Sequence, residues 1–120
     1  MSEFVDFNNG VVTVTFEGTL TQAALLQAQQ AVADIIRVEG KVRILVNAEK
    51  FEGWESGGAW DDFTFQEESD PFIEKLAIVG DERWENQVLI FAAKGLRRFP
   101  IEYFGTDERE MAYSWVRAAP

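Results

Sequence analysis

The sequence contains neither cysteine nor histidine among its 120 residues. The absence of cysteine excludes disulfides and thiol chemistry, and it fits a reducing compartment. Histidine is the most frequent general base and a common transition-metal ligand, so its absence lowers the expectation of catalysis or of a zinc site. We therefore predict a protein that is not an enzyme, with no catalytic residue, no metal and no cofactor.

Basic residues are scarce, with 11 Lys and Arg against 21 Asp and Glu and a formal net charge of −10. Proteins bind duplex nucleic acid by neutralising its phosphates, so this balance predicts no nucleic-acid partner. The sequence also lacks an apolar run of bilayer-spanning length, and its first seven residues do not resemble a signal peptide. We predict a cytoplasmic protein without a transmembrane segment.

Apolar residues are abundant, at 47% of the chain, and they include ten Phe and four Trp. A chain of this length and composition is large enough for one folded core and too short for two. The sequence therefore predicts one domain over residues 1–120.

The spacing of apolar residues predicts an α/β domain with the element order β-β-α-β-α-β-α-β-α. Strands are predicted at 4–7, 11–17, 42–48, 76–79 and 101–104. Helices are predicted at 21–38 (capped by Thr19 or Thr21), 57–68, 82–94 (capped by Asp81) and from Thr106 or Asp107 to Val116. Because Asn9-Gly10 favours a hairpin turn, we expect an N-terminal antiparallel hairpin, a mixed and mostly parallel sheet, and four helices.

The stretch from 41 to 65 organises this prediction. Val42–Val46 is continuously apolar or β-branched apart from Arg43, as in a strand buried on both faces. The segment 51–60 then combines two Trp, one Phe and three Gly, and we predict that it is a loop leading into a helix at Gly57–Trp60. In open α/β sheets ligands bind beyond the carboxyl ends of the strands, so this aromatic loop is the main candidate site.

Several segments resemble the SpoIIAA-like family of small proteins related to STAS domains. The resemblance lies in Gly18 and in GKVRILVNAEKFEGWESGGAWDDF (40–63), KLAIVGDERWE (75–85) and IEYFGTDEREMAYSWV (101–116). It implies a single four-helix, mixed-sheet domain without known catalysis, whose fold is also compared with CRAL-TRIO lipid-binding domains. It further implies binding of apolar ligands, membranes or protein partners.

The aromatic residues give two interpretations. They line a cleft for an apolar molecule or lipid, or they are core residues between a helix and the sheet. The candidate ligand-binding residues lie near the loop 51–65 and the helix 82–94: Phe51, Trp54, Trp60, Phe63, Phe65, Trp84, Val88 and Phe91.

Ser56 supports an alternative function, a STAS-type regulatory module that binds a protein partner. In the related regulators a phosphorylatable Ser stands at a comparable helix start, where a phosphate is favoured by the helix dipole. Here Glu52, Glu55 and neighbouring acids would repel the phosphate, and Ser56 is equally interpreted as an ordinary helix cap.

Three bases follow the helix 82–94, namely Lys94, Arg97 and Arg98. They either contact anionic lipid head groups at a membrane surface or offset the dipole at the helix end. The apolar face of the same helix packs on the sheet or forms a homo-oligomer. Adjacent acids such as Asp61-Asp62 point in different directions on a helix, so no metal site is predicted.

Overall fold

Five strands and four α-helices follow one another in the predicted order. The computed structural model describes residues 2–57 and 64–118. The strands are β1 (Ser2–Asn8), β2 (Val11–Leu20), β3 (Val42–Trp54), β4 (Ile73–Gly80) and β5 (Ile101–Phe104). The helices are α1 (Gln22–Glu39), α2 (Thr64–Ser69), α3 (Glu85–Phe91) and α4 (Arg109–Arg117), and 3-10 turns at Asp70–Phe72 and Glu82–Trp84 precede β4 and α3.

The strands form one sheet in the order β1-β2-β3-β4-β5. β1 and β2 are antiparallel, and each later neighbour pairs in parallel. Asn9 and Gly10 connect the hairpin with φ angles of 51° and 82°, the positive values for which Asn-Gly is suited. The prediction of a mixed, mostly parallel sheet is confirmed.

Side chains of β3 alternate between two separate cores. Ile44 and Ala48 face the larger core, which α1 covers together with residues of α3, and we call this side of the sheet the inner face. Leu45 points the other way, into a smaller core that contains Ala112 and Val116 of α4. The central strand is therefore buried on both sides, as its apolar run predicts.

Helix α1 covers the inner face with small side chains at its N-terminal half. The Thr21 side chain caps the helix, because its Oγ1 accepts a hydrogen bond from Ala24 N at 3.1 Å. The buried face continues with Ala24, Ala28, Val32 and Ile36, spaced four residues apart. Alanine fills little of the space between a helix and a sheet, and this has a consequence for the site.

The predicted end of β2 at Gly18 and the predicted loop from Phe51 are both wrong. β2 continues to Leu20 and β3 to Trp54, and the two remain paired through Gly18 with Phe51 and Leu20 with Trp54. The register shifts on either side of Gly18, whose φ is 79°. A glycine with a positive φ allows a bulge in the strand, so the pairing bends and does not stop.

The described bounds of α2 and α3 differ from the prediction. Gly57 lies in a turn with a φ of 78°, so no helix begins there, and the described part of α2 starts at Thr64. Asp81 caps its segment as predicted, with Arg83 N donating to its Oδ1 at 2.9 Å, but the first turn is 3-10 and α3 ends at Phe91. Residues 58–63, where the start of the second helix was predicted, lie outside the described residues.

The last helix begins after Glu108, and neither Thr106 nor Asp107 caps it as predicted. Its other end is held by two cations of the sheet. Lys75 Nζ donates to the carbonyls of Trp115 at 2.8 Å and Ala118 at 3.1 Å. Arg43 Nη1 also reaches the carbonyls of this end, including Val116 O at 3.3 Å. Cations at a helix C-terminus satisfy its free carbonyls, which fixes α4 on the sheet.

Candidate functional site

A cavity of about 160 Å³ lies between α1, α3 and the inner face of the sheet. It is partly open to the surface. The helix α1 contributes Leu25, Ala28, Gln29 and Val32, which share one helix face by their spacing. The remaining wall comes from apolar residues of β2, β3 and β4, from Phe65 and Gln66 of α2, and from the segment 88–99.

Small side chains explain why the helices and the sheet leave this space between them. Ala28 on α1, Ala48 on β3 and Ala92 after α3 all lie on the cavity wall. At each of these positions a larger apolar residue would extend into the gap between the layers. Since protein interiors are otherwise close-packed, a void of this size is a departure from ordinary core packing.

An aromatic cluster forms one side of the cavity. Phe51 contacts Trp54 edge-to-face, with ring centroids 4.9 Å apart, and contacts Trp84 in the same way at 5.3 Å. Trp54 in turn contacts Trp84 at 6.1 Å and Phe91 at 5.3 Å. These contacts join the end of β3 to the segment that leads into α3, so the cluster positions α3 over the cavity.

Two indole nitrogens of this cluster are buried, Trp54 Nε1 and Trp84 Nε1, and neither has a hydrogen-bond acceptor among residues 2–57 and 64–118. A buried donor without an oxygen acceptor costs stability, and an aromatic ring face compensates only partly through a weak N–H···π contact. Gly53 makes the close packing possible, because an added Cβ there would lie 3.2 Å from the Trp84 ring. In this cluster the two indole N–H groups pack against neighbouring rings instead of donating to oxygen atoms of the described residues.

The segment 81–97, which contains α3 and which we call the segment over the cavity, is attached at both ends. At its start, Tyr103 Oη donates to Asp81 O at 2.7 Å. Burial raises the pKa of Tyr103 from 10.0 to about 12, and the negative charges of Glu85 and Asp81 add to this effect. At its end, Arg97 forms a bidentate ion pair with Asp70 and also donates to Ala92 O at 3.3 Å.

Of the candidate ligand residues near the loop 51–65 and the helix 82–94, the structure brings Phe51, Trp54, Val88 and Phe91 onto the cavity wall. Phe65 lies there as well. Trp84 contacts the rings of Phe51 and Trp54 but is not part of the wall. Trp60 and Phe63 lie outside the described residues.

Ser56 is exposed in the turn that follows β3. The preceding residue, Glu55, accepts a hydrogen bond from Gln22 N at 2.7 Å and so ties this turn to the first residue of α1. Gly57 has a φ of 78° and is not helical. Residues 58–63 lie outside the described residues, so a phosphate at Ser56 that is favoured by a helix dipole stays a prediction.

The three candidate head-group residues differ in their surroundings. The Arg97 side chain is only 10% exposed and bound to Asp70, so it presents no free charge. Lys94 Nζ lies 3.7 Å from Glu102, in a partly exposed pair. Arg98 is exposed. The membrane alternative therefore has no support at Arg97, whose carboxylate partner Asp70 stands in a turn that is distant in sequence.

The sequence reasoning missed the α1 side of the site and the two glutamines on its wall, Gln29 and Gln66. The signal was present in Ala24 and Ala28, since two alanines on the buried face of a helix leave space beneath it. The attachment of the C-terminal end of α4 to the sheet through Lys75 and Arg43 was also not predicted. A single base in a strand does not indicate which helix end its side chain contacts.

Residues 2–57 and 64–118 lack two features of other functional classes. They contain no group of three or more carboxylate, His or Cys side chains that would hold a metal ion. None of their helices combines the length and apolar character needed to cross a bilayer.

Comparisons with known proteins agree with this architecture. A crystal structure of an uncharacterised protein with a SpoIIAA-like fold from Shewanella loihica superposes with a TM-score of 0.72, at 14% identity, over 96% of this chain and 92% of that chain. No curated protein sequence matches the chain. The comparison with CRAL-TRIO domains stays a prediction. The SpoIIAA-like family model matches residues 11–117, and the chain therefore belongs to the SpoIIAA-like family.

Proposed function

We propose that this protein binds a small apolar molecule in the cavity between α1, α3 and the inner face of the sheet. The observation that carries the proposal is the cavity itself, about 160 Å³ in volume and walled almost entirely by apolar side chains. Ligand sites in proteins have this character, a mostly apolar concavity with a few polar groups.

The volume limits what the cavity can enclose. An apolar protein cavity of about 150 Å³ binds benzene, whereas sites for drug-sized ligands occupy roughly 300–1,000 Å³. The enclosed part of the ligand is therefore one ring or a short hydrocarbon segment. A diacyl lipid is too large to be enclosed as a whole, so a lipid would place only the end of one chain inside.

An empty cavity is also costly. Side chains of the enclosed part of the wall lack contacts on their inner side, and this lowers stability. A single change, Ala28 to Leu, would recover part of that energy by filling the space. An occupying ligand offsets the same cost, because it restores contacts with the cavity wall.

Toluene binding, followed by intrinsic Trp fluorescence, tests the proposal, because the Trp54 ring lies on the cavity wall. We expect saturable quenching or enhancement in the native protein and its loss in Ala28→Leu. The matched control is Ala23→Leu, the same change at an exposed position of α1, which should bind toluene like the native chain. A flat titration of the native protein would overturn the proposal.

The outer side of the segment 90–98 supports a second proposal, peripheral contact with an anionic membrane surface. Ile90 is 79% exposed and Leu96 is 88% exposed, and Lys94 and Arg98 lie beside them in the chain. Exposed apolar side chains next to bases suit the boundary between lipid head groups and acyl chains. The net charge of the protein opposes this contact, so the expected binding is weak and reversible.

Co-sedimentation with vesicles tests this second function. We expect more protein to pellet with phosphatidylserine vesicles than with phosphatidylcholine vesicles because of Lys94 and Arg98, and less protein to pellet with phosphatidylserine vesicles in Leu96→Ser. Val38→Ser is the control, since Val38 is 81% exposed at the end of α1, on a different element. Equal pelleting with both kinds of vesicle would contradict the proposal.

A further inference from the structure

Polar side chains reach the described cavity wall at three positions: Gln29 of α1, Gln66 of α2 and Arg97. The two helices are in contact with each other. All three side chains are only partly exposed, whereas Gln27 and Gln30 of α1 are exposed. The chemistry of these groups decides what kind of polar atom an otherwise apolar ligand can carry.

The Arg97 side chain already donates hydrogen bonds to acceptors of the protein itself. Its Nε and Nη2 donate to the two carboxylate oxygens of Asp70 at 3.0 and 2.6 Å, and its Nη1 donates to Ala92 O. The guanidinium also lies over the Phe99 ring, 4.7 Å from its centroid. The positive charge is paired with a carboxylate, so this part of the wall offers an anion no unpaired cation.

The two glutamine side chains differ from Arg97 in their hydrogen bonding. Within the described part of the chain, neither the Gln29 nor the Gln66 side chain makes a hydrogen bond. Each primary amide carries two N–H donors and one carbonyl acceptor, so it can satisfy a neutral group that donates, accepts or does both. It carries no charge with which to balance an ionised head group.

We propose that the ligand is a neutral amphipathic molecule, with a ring-sized hydrocarbon body in the cavity and a hydroxyl, carbonyl or amide group at Gln29 and Gln66. This inference rests on the proposed function and adds the chemical class of the ligand to it. A carboxylate is disfavoured, because Arg97, the one cation among the described wall residues, is paired and the chain carries a net charge of −10. A plain hydrocarbon fills the cavity but leaves both amides to water.

Isothermal titration calorimetry with toluene, benzamide and benzoate separates these classes, because the three probes share one ring and differ in the head group. Benzamide should lose about three- to tenfold in affinity in Gln29→Leu and in Gln66→Leu, the effect of one neutral hydrogen bond, while toluene binding is retained. Benzoate should bind more weakly than benzamide. Gln27→Leu, the same change at an exposed position of α1, should alter neither.

The outcomes keep the two proposals apart. If toluene binds but benzamide is unaffected by both glutamine changes, or benzoate binds more tightly than benzamide, the neutral head group is wrong and the apolar site stands. If none of the three probes binds the native protein, the proposed function fails and the inference fails with it. Circular dichroism of each variant establishes that the fold is intact before binding is compared.

Discussion

Arg97 and Asp70 form a nearly buried bidentate ion pair, with side chains 10% and 13% exposed, between the segment over the cavity and the turn before β4. Asp70→Ala would leave the guanidinium without its carboxylate in a site with little water. Because hydrogen bonds to charged groups contribute more than neutral ones, we expect a loss of roughly 2–3 kcal/mol in the free energy of unfolding. Urea denaturation measures this loss.

A second bidentate pair provides the control. Arg109 also binds Glu49 through two hydrogen bonds, at 3.0 and 2.9 Å, but its side chain is 59% exposed. Solvent and salt screen such a pair, so Glu49→Gln should change stability much less than Asp70→Ala. Equal losses in the two variants would show that burial does not set the strength of the Arg97 pair.

Titration of Tyr103 should make the stability of the folded protein depend on pH in the alkaline range. Its pKa is raised from 10.0 to about 12 in the folded protein, so the folded state holds the phenol proton more tightly than the unfolded state. The resulting stabilisation is complete below the unfolded pKa of 10.0 and is lost as the pH rises towards 12. We expect Tyr103→Phe to remove this decline, as measured by thermal unfolding across that range. An identical decline in the variant would contradict the assignment.

Position 80 requires glycine because neighbouring atoms leave no room for a Cβ, and not because the backbone has a positive φ there. A Cβ at this position would lie 2.5 Å from Tyr103 Oη and 3.3 Å from Ala48 O. We expect Gly80→Ala to destabilise the protein by about 1–3 kcal/mol through overpacking. Adding Tyr103→Phe removes the nearest atom, so the double variant should recover part of the loss. Urea denaturation of the two single variants and the double variant tests this coupling, and strict additivity would argue against it.

Lys75 is 7% exposed and serves the C-terminal end of α4, where Nζ donates to two carbonyls and lies 4.8 Å from the centroid of the Trp115 ring. Lys75→Met keeps most of the side-chain volume and removes the donor. We expect a loss of roughly 1–3 kcal/mol, because buried carbonyls lose their partner. Hydrogen exchange should accelerate in α4 more than in α1, and uniform acceleration would contradict a local role.

Much of the fold follows from periodicity. The alternation of β2, the apolar run of β3 and the four-residue spacing of α1 each predict an element that the structure contains. Element ends were less predictable, because they depend on partners in three dimensions. Gly18 is typical of a strand end, yet pairing with Phe51 keeps β2 extended through a bulge.

The site was predicted from one side only. The aromatic residues marked the end of β3 and the segment of Trp84 and Phe91, because large rings are conspicuous in a sequence. The cavity, however, depends on where side chains are small. Ala28 indicates a cavity only when the distance between the helix and the sheet is known. Likewise, no local pattern connects Arg97 with Asp70, which is 27 residues away in the chain.

The division of β3 between two cores has a consequence for how this architecture changes over time. Substitutions on the Ile44 side reshape the chamber, whereas those on the Leu45 side affect the attachment of the last helix. One layer can thus vary in volume while the opposite layer preserves the folded chain. If the proposed binding function holds, substitutions on the Ile44 side would change which molecule fits without altering the attachment of α4.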